Sequence, residues 1–530
     1  MNIQSFLEHH GIVRNPFAEE DAQTDPVFKE YCISSAYHPI WDKVYGDPSE
    51  PSTAMIFGPK GSGKTAMRLQ IDRHLRQYND EHPGKRVYVI RYDDFNPFLD
   101  HFCERLSRRT TRKPERVLDA WRLWDHMDSI LCLGVTQLVD QVLKTDENGS
   151  DLDKQQLRNL DRTASRDLLL LAACYDQSND SSFTGRWDSL RKHLRYGNFM
   201  AKASGWFAAV WAVAVLLLFL WLMIRGSGET QPQDVQAGAA KPQVQMASML
   251  AEDTATEEQV SDAPSTVWDY LWVAPLLIVI GAAPYLIRLS KCQWAAMGIR
   301  RHMRVGRREI GSMRKVLHWI PDKELASQPL PRYDRTDDRY ELLNKLQSVL
   351  DRLGYKGTIV LMDRVDEPHM TGGKPELMRR FVWPILDNKL LKHPGLGFKM
   401  MLPQELHRDM ERESRDFHER ARLDKQNVIP SFQWTGESLY DLARARMMAC
   451  ADQGRSPEPK DLFQSDLDYQ RMISAFQSLR VPRHLFRFLY RVLVDHCNRY
   501  TDANPEFKIK AETFETNLAV YARELDPSVN

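Results

Sequence analysis

The twelve residues Ala54–Thr65, "AMIFGPKGSGKT", restrict the possible folds of this chain more than any other stretch. The residues "TAMIF" read as a short buried strand. The residues "AMRLQIDRHLRQY" place Met67, Leu69, Ile71 and Leu75 at helical spacing. Strand, glycine loop and helix in immediate succession imply an α/β fold with a parallel sheet. The spacing G-x-x-x-x-G-K-[ST] is met by Gly58, Gly63, Lys64 and Thr65. Glycines let consecutive backbone N–H groups turn inward, and the helix start adds the positive end of its dipole. Gly58, Pro59, Lys60, Gly61, Ser62, Gly63, Lys64, Thr65 and Ala66 thus form a candidate phosphate cradle. Lys64 would neutralise the β- and γ-phosphates of a nucleotide such as ATP, and the Thr65 hydroxyl would ligate Mg²⁺.

Such a loop works with an acid at the end of another strand. The stretch "GTIVLMDRVDEP", Gly357–Pro368, offers one. "TIVLM" is an apolar, β-rich run suited to a central parallel strand. Asp363 follows at once, where a carboxylate would hold Mg²⁺ through water. Asp366 or Glu367 could orient and deprotonate an attacking water, as a general base must, and Glu367 is favoured. A third strand, "GLGFKMMLPQEL", has Gln404 at its polar end. A further strand, "RVYVIRYDDFNPF", carries Asp93 and Asp94, which read as caps or turn formers. In "SLRVPRHLFRFLYRVL", Pro482 suits the first turn of an apolar-faced helix, and Arg483 projects from its start. Arg420 and Arg422 are candidates for a charge supplied to a neighbouring subunit, in a stretch that also reads as a solvated charged helix.

Between these halves, residues 101–202 have helical periodicity, with Val117, Leu118, Trp121, Leu123 and Trp124 on a broad face and Ser165 as an expected helix N-cap. They read as a helical subdomain of their own. Two uncharged runs follow, Ala203–Ile224 and Tyr270–Ile287, and both read as membrane spans. Pro275, Gly281 and Pro284 are more tolerable in lipid than in soluble helices. Trp221, Trp268, Tyr270 and Trp272 would form an aromatic belt. Arg186, Arg191, Lys192, Arg195 and Lys202 precede the first run, and Arg288, Lys291, Arg300, Arg301, Arg304, Arg307 and Arg308 follow the second. Residues 225–266 hold two basic residues against seven acids. Positive-inside orientation puts both flanks in the cytoplasm, at an inner plasma membrane, with the acidic segment outside. The run "RRHMRVGRRE" reads as juxtamembrane, against anionic lipid headgroups.

Lys plus Arg equals Asp plus Glu at 72 each, which removes the simplest argument for nucleic-acid binding. The seven cysteines are scattered without metal-ligand spacing and read as reduced thiols. The opening "MNIQSFLEHHGIVRNPF" lacks the basic and apolar regions of a signal peptide.

The residues "GPKGSGKT", the apolar pair at 203–287 and "VLMDRVDEP" together resemble the KAP group of P-loop NTPases, in which transmembrane helices lie between the P-loop and the Mg²⁺-binding acid. The D-x-h-D-E form of Asp363–Glu367 is closer to the STAND signalling ATPases. "NPFAEEDAQTDPVF" and Pro482–Arg483 are similar to a broader set of bacterial P-loop ATPases. The resemblance implies an ASCE-type α/β fold: a parallel sheet with helices on both faces, a helical insertion, a two-helix transmembrane hairpin and a C-terminal helical lid. The expected boundaries are 1–100, 101–202, 203–224, 225–266, 267–288, 289–336, 337–435 and 436–530. It also implies that Gln404 senses the γ-phosphate and that Arg483 points at the nucleotide from the lid. The expected function is a membrane-anchored Mg-ATPase acting as a switch or assembly platform, in signalling or phage defence, with membrane lipid and a second copy or protein partner. The alternative is a non-hydrolysing nucleotide-binding scaffold.

Overall fold

The apolar runs form five strands: β1 (Ala54–Gly58), β2 (Arg86–Tyr92), β3 (Tyr355–Met362), β4 (Leu396–Pro403) and β5 (Asn427–Ile429). The computed structural model describes residues 1–34, 36–144, 152, 154–178, 182–197, 199–226 and 273–525. All pairings are parallel, in the order β2-β3-β4-β1-β5. β4 is inserted between β1 and β3, with Gly58 opposite Pro403 and Met362 opposite Met400. The carboxyl ends of β1, β2 and β3 therefore lie on one edge of the sheet, where open α/β sheets bind ligands.

β1 and β4 are buried along their whole length, so both faces of the sheet need cover. The helix Lys64–Glu81 covers one face: its Met67, Ile71 and Leu75 pack with Ile56, Val89, Leu361 and Met401. The other face is covered by the helices Leu123–Leu143 and Asp337–Arg352. Gly134 permits close approach, since a Cβ there would lie 2.8 Å from Ile90 Cδ1. Tyr88 donates its hydroxyl to the Gly134 carbonyl at 2.7 Å. The helix Leu123–Leu143, in the segment 101–202 expected to be a subdomain of its own, is thus a layer on the sheet. The reason is the doubly buried edge strand β2, which requires that layer. The expected N-cap also moves. Asp161 caps the helix Arg162–Tyr175 by accepting from the Ala164 N–H at 2.8 Å, and Ser165 is buried inside that helix.

Two compact units emerge. One comprises residues 1–196, 297–313 and 329–530, and so unites both halves of the sheet. Within it, the N-terminal segment joins the C-terminal helices: Phe6, Leu7, Phe17 and Phe28 share a core with Leu439, Phe476, Leu485 and Phe488.

The run "RRHMRVGRRE" is docked onto protein in this unit, contrary to the lipid-facing expectation. Met303 and Val305 are fully buried. Arg304 donates to both oxygens of Asp125, at 3.0 and 2.5 Å. Arg307 pairs with Glu104, and Arg308 donates to the carbonyls of Cys174 and Asp176. Burial pushes the Asp125 carboxyl up to about 7, opposed chiefly by Arg304. A carboxylate with no solvent needs such a partner.

The second unit comprises residues 197–296 and 314–328. It contains the helix Phe199–Gly226 and most of Val273–His302. Trp211 donates its indole N–H to the Leu277 carbonyl at 3.0 Å, and its ring occupies the space a side chain at Gly281 would need. Trp206, Phe207, Leu216, Leu217, Ile280 and Ile287 are exposed. Among the described residues one helix, Pro275–His302, is long and apolar enough to cross a membrane. The other apolar helix, Phe199–Gly226, holds the apolar stretch Gly205–Trp221. The second apolar helix also continues past the expected end at residue 288. Residues 227–266 of the acidic segment, with Trp268, Tyr270 and Trp272, lie outside the described residues.

Lys399 stands on β4, fully buried, with Nζ 3.5 Å from Ser52 Oγ. Burial pushes this amine down to about 8, whereas an unfolded chain holds it near ~10.4. The unfolded state binds the extra proton between those values, so stability rises with pH through that window. Below it the penalty is complete, roughly 3 kcal/mol. Lys399→Met is expected to raise stability at pH 7 by that order and to abolish the rise. Urea unfolding of both proteins from pH 7 to 10 measures this.

Candidate functional site

The chain leaves β1 through a loop whose conformation depends on glycine. Gly61 has φ +84° and Gly63 φ +95°, in the left-handed region. Gly63 is the last residue before the helix, so the helix's first N–H groups face the loop without intrahelical partners. A Cβ on Gly61 would lie 2.7 Å from the Arg483 Cβ, and the Arg483 N–H donates to the Gly61 carbonyl at 3.3 Å. The start of the helix Pro482–Arg499 therefore sits directly on the loop, with Pro482 in its first turn as expected. Trp434 donates its indole N–H to the Ser62 carbonyl at 2.8 Å, and the buried Ser62 hydroxyl has no hydrogen-bond partner among the described residues.

Lys64 donates to the carbonyls of Gly58 and Pro59, at 2.8 and 2.9 Å. Burial lowers its pKa, while Asp363, Asp366 and Glu405 oppose the shift. The Thr65 hydroxyl donates to Asp363 Oδ2 at 3.0 Å across 298 positions of sequence. Asp363 is 2% exposed, and burial raises its carboxyl pKa against the pull of Arg68 and Thr65. Its second oxygen accepts from the Arg364 N–H at 2.9 Å, with Arg364 in the left-handed region at φ +62°. That turn directs Asp366 and Glu367 toward the cavity. Glu367 is exposed and lies 3.4 Å from Arg364, and partial burial raises its pKa.

These groups border a cavity of about 340 Å³. Lys60, Gly61, Gly63, Lys64, Thr65 and Ala66 line one side, and Asp363, Asp366 and Glu367 another. Arg483 contributes from the C-terminal helices, and Phe28, Phe432, Trp434 and Phe486 also line the cavity. Gly58, Pro59 and Ser62 stand behind its surface and shape the loop.

One expected contributor, Gln404, is elsewhere. Gln404 opens the helix Gln404–Glu411 and donates to the Pro430 carbonyl at 2.7 Å. It does not line the cavity, where Pro403 and Glu405 do; its amide is used to tie the end of β4 to the β5 side. Arg420, on the helix Arg415–Ala421, and Arg422, which caps it 3.5 Å from Asp424, lie outside the cavity of their own chain, as residues expected to serve a neighbouring subunit's site would.

Arg68 was not anticipated. It is 3% exposed, with Nη1 2.7 Å from Asp93 and Nε 3.3 Å from Asp363 Oδ2. It therefore joins the acids that end β2 and β3, and Asp93 is a partner of the site rather than a turn former. The available signal was its place three residues after Thr65, on the same helix face. Arg68→Met would leave two acids without their shared cation, which is expected to cost roughly 3 kcal/mol. Adding Asp93→Asn should restore part of that loss, read from denaturant midpoints of the three proteins. Glu20 was missed as well. It pairs with Arg487 at 2.5 Å and approaches Arg483 at 3.8 Å.

The arrangement offers hard oxygen donors, Thr65 and Asp363, of the kind magnesium takes. Among the described residues no group of three or more His, Cys, Asp or Glu could hold a metal. A magnesium ion at Thr65 and Asp363 would complete its shell from phosphate oxygens and water, as it commonly does. The buried Ser62 hydroxyl and the glycine loop fit a phosphate alongside it. Comparison with protein families, with characterised proteins and with solved structures finds no match.

Proposed function

We propose that the chain is a membrane-anchored ATPase, a KAP-like or STAND-like P-loop NTPase of the ASCE class. It binds and hydrolyses Mg-ATP on the cytoplasmic face and acts as a nucleotide-dependent switch or assembly platform. The observation that carries this reading is the 3.0 Å contact between Thr65 and Asp363, which brings the glycine loop and the distant strand-end acid into one site. The strand inserted between β1 and β3 also supports the ASCE reading. Magnesium, when bound, supplies charge neutralisation at the phosphates. Lys64 binds the β- and γ-phosphates, and Arg483 adds a second cation from the helical lid. Glu367, with Asp366 beside it, orients water and accepts its proton. The aromatic side chains that line the cavity suit a nucleobase.

Exposed apolar side chains on both helices of the second unit support a two-span hairpin with its flanks in the cytoplasm. An even number of crossings keeps the two halves of the sheet in one compartment. Equilibrium binding of ATP to the detergent-solubilised full chain tests the reading. Magnesium should raise the affinity, and Thr65→Ala should remove that increment. Absence of ATP binding in both conditions would refute it. Tight binding without turnover, insensitive to Glu367→Gln, would favour the scaffold.

A further inference from the structure

A second cleft, of about 740 Å³, lies away from the nucleotide cavity and within the same compact unit. Arg105, Arg300, Arg307 and Arg308 line it, with the hydroxyl-bearing Ser182 and Thr184. The arginines are not equivalent. Arg307 is held by Glu104, and Arg308 is buried over the Phe183 ring with its donors on backbone carbonyls. The other acid, Glu309, accepts from the Ser312 hydroxyl at 2.7 Å. Arg105 and Arg300 have no ion-pair partner among the described residues, and both face the cleft. Burial, and then the Arg300 charge, push the Arg105 guanidinium below its ordinary value. Both side chains are exposed, and Glu104 offsets part of the repulsion at Arg105; an anion between the two arginines would relieve the rest.

We propose that this cleft binds a soluble anion bearing phosphate groups, held by Arg105 and Arg300. Guanidinium pairs suit phosphate because each presents a planar fork of donors. The Ser182 and Thr184 hydroxyls add neutral donors beside them. The volume admits a phosphorylated small molecule rather than a bare ion alone.

The seating of the segment that bears Arg300 favours a soluble ligand over a lipid headgroup. Within its own unit Met303 and Val305 are fully buried, and Arg304 is held by Asp125. The site does not depend on the ATPase reading.

Pyrophosphate is the probe, and the full chain carrying Lys64→Ala is the protein, so that the glycine loop does not dominate the signal. Pyrophosphate should raise the unfolding temperature in a saturable way. Arg105→Gln with Arg300→Gln should raise the apparent dissociation constant at least about tenfold, since hydrogen bonds between charged groups are being removed. The same proteins in nanodiscs of phosphatidylcholine, with or without phosphatidylglycerol, should show no difference attributable to these arginines. Equal stabilisation of all variants, or none at millimolar pyrophosphate, would overturn the proposal. So would a response to phosphatidylglycerol alone that the two substitutions abolish, which would assign the cleft to lipid.

Discussion

Lys64→Ala is expected to lower Mg-ATP turnover by on the order of 10³-fold or more, comparable to losing another cation on the transferring phosphoryl group. The amine touches only the carbonyls of Gly58 and Pro59 by hydrogen bond, so its removal should leave folding intact. Its partners are weak competitors for a phosphate, because a charged amine forms stronger bonds to an anion than to a neutral carbonyl. ATP affinity should fall by about 10- to 100-fold, the value of a charged hydrogen bond. Binding and turnover measured on one preparation, with the unfolding temperature as control, check both parts. An unchanged affinity would place the nucleotide elsewhere.

Glu367→Gln is expected to act on turnover alone, by about 10²- to 10⁴-fold, the usual contribution of a general base. The carboxylate is exposed and its one ion pair is with Arg364, so stability should not change. ATP affinity should be retained, and the protein should accumulate in its ATP-bound form. The pH profile carries a second readout. Partial burial raises the Glu367 pKa above the ordinary glutamate value. Wild-type turnover should therefore fall as pH drops through that raised value, and Glu367→Gln should remove this acid limb. If Asp366→Asn, and not Glu367→Gln, gives this pattern, the base is Asp366, which lines the same cavity.

The local parts of the site were legible because short-range patterns encode them. The glycine loop follows from residue spacing, the strand before Asp363 from an apolar run, and the start of the Arg483 helix from Pro482. Their assembly was not legible to the same degree. Thr65 and Asp363 form a pair because β1 and β3 run parallel in one sheet with their carboxyl ends on the same edge, and strand order is a tertiary property. Gln404 had a suitable place in the sequence, but one hydrogen bond to Pro430 decides where it is used. Arg68 carried no assignment and Asp93 read as a cap or turn former; the ion pairs of Arg68 with Asp93 and Asp363 give them their role. The basic run after the apolar helix was misread for a similar reason. Composition favours lipid headgroups, but Asp125, nearly two hundred positions earlier, is buried and takes Arg304. The Phe6, Leu7 and Phe17 contribution to the C-terminal core had no short-range signal either.

Phosphate release from ATP by the full-length chain, with and without magnesium, tests most directly whether the two halves make one hydrolytic site. The wild type, Thr65→Ala and Asp363→Asn would be assayed together. The account predicts magnesium-dependent release that either substitution abolishes, although the two residues lie 298 positions apart. Release that survives Asp363→Asn, or that needs no magnesium, would contradict it.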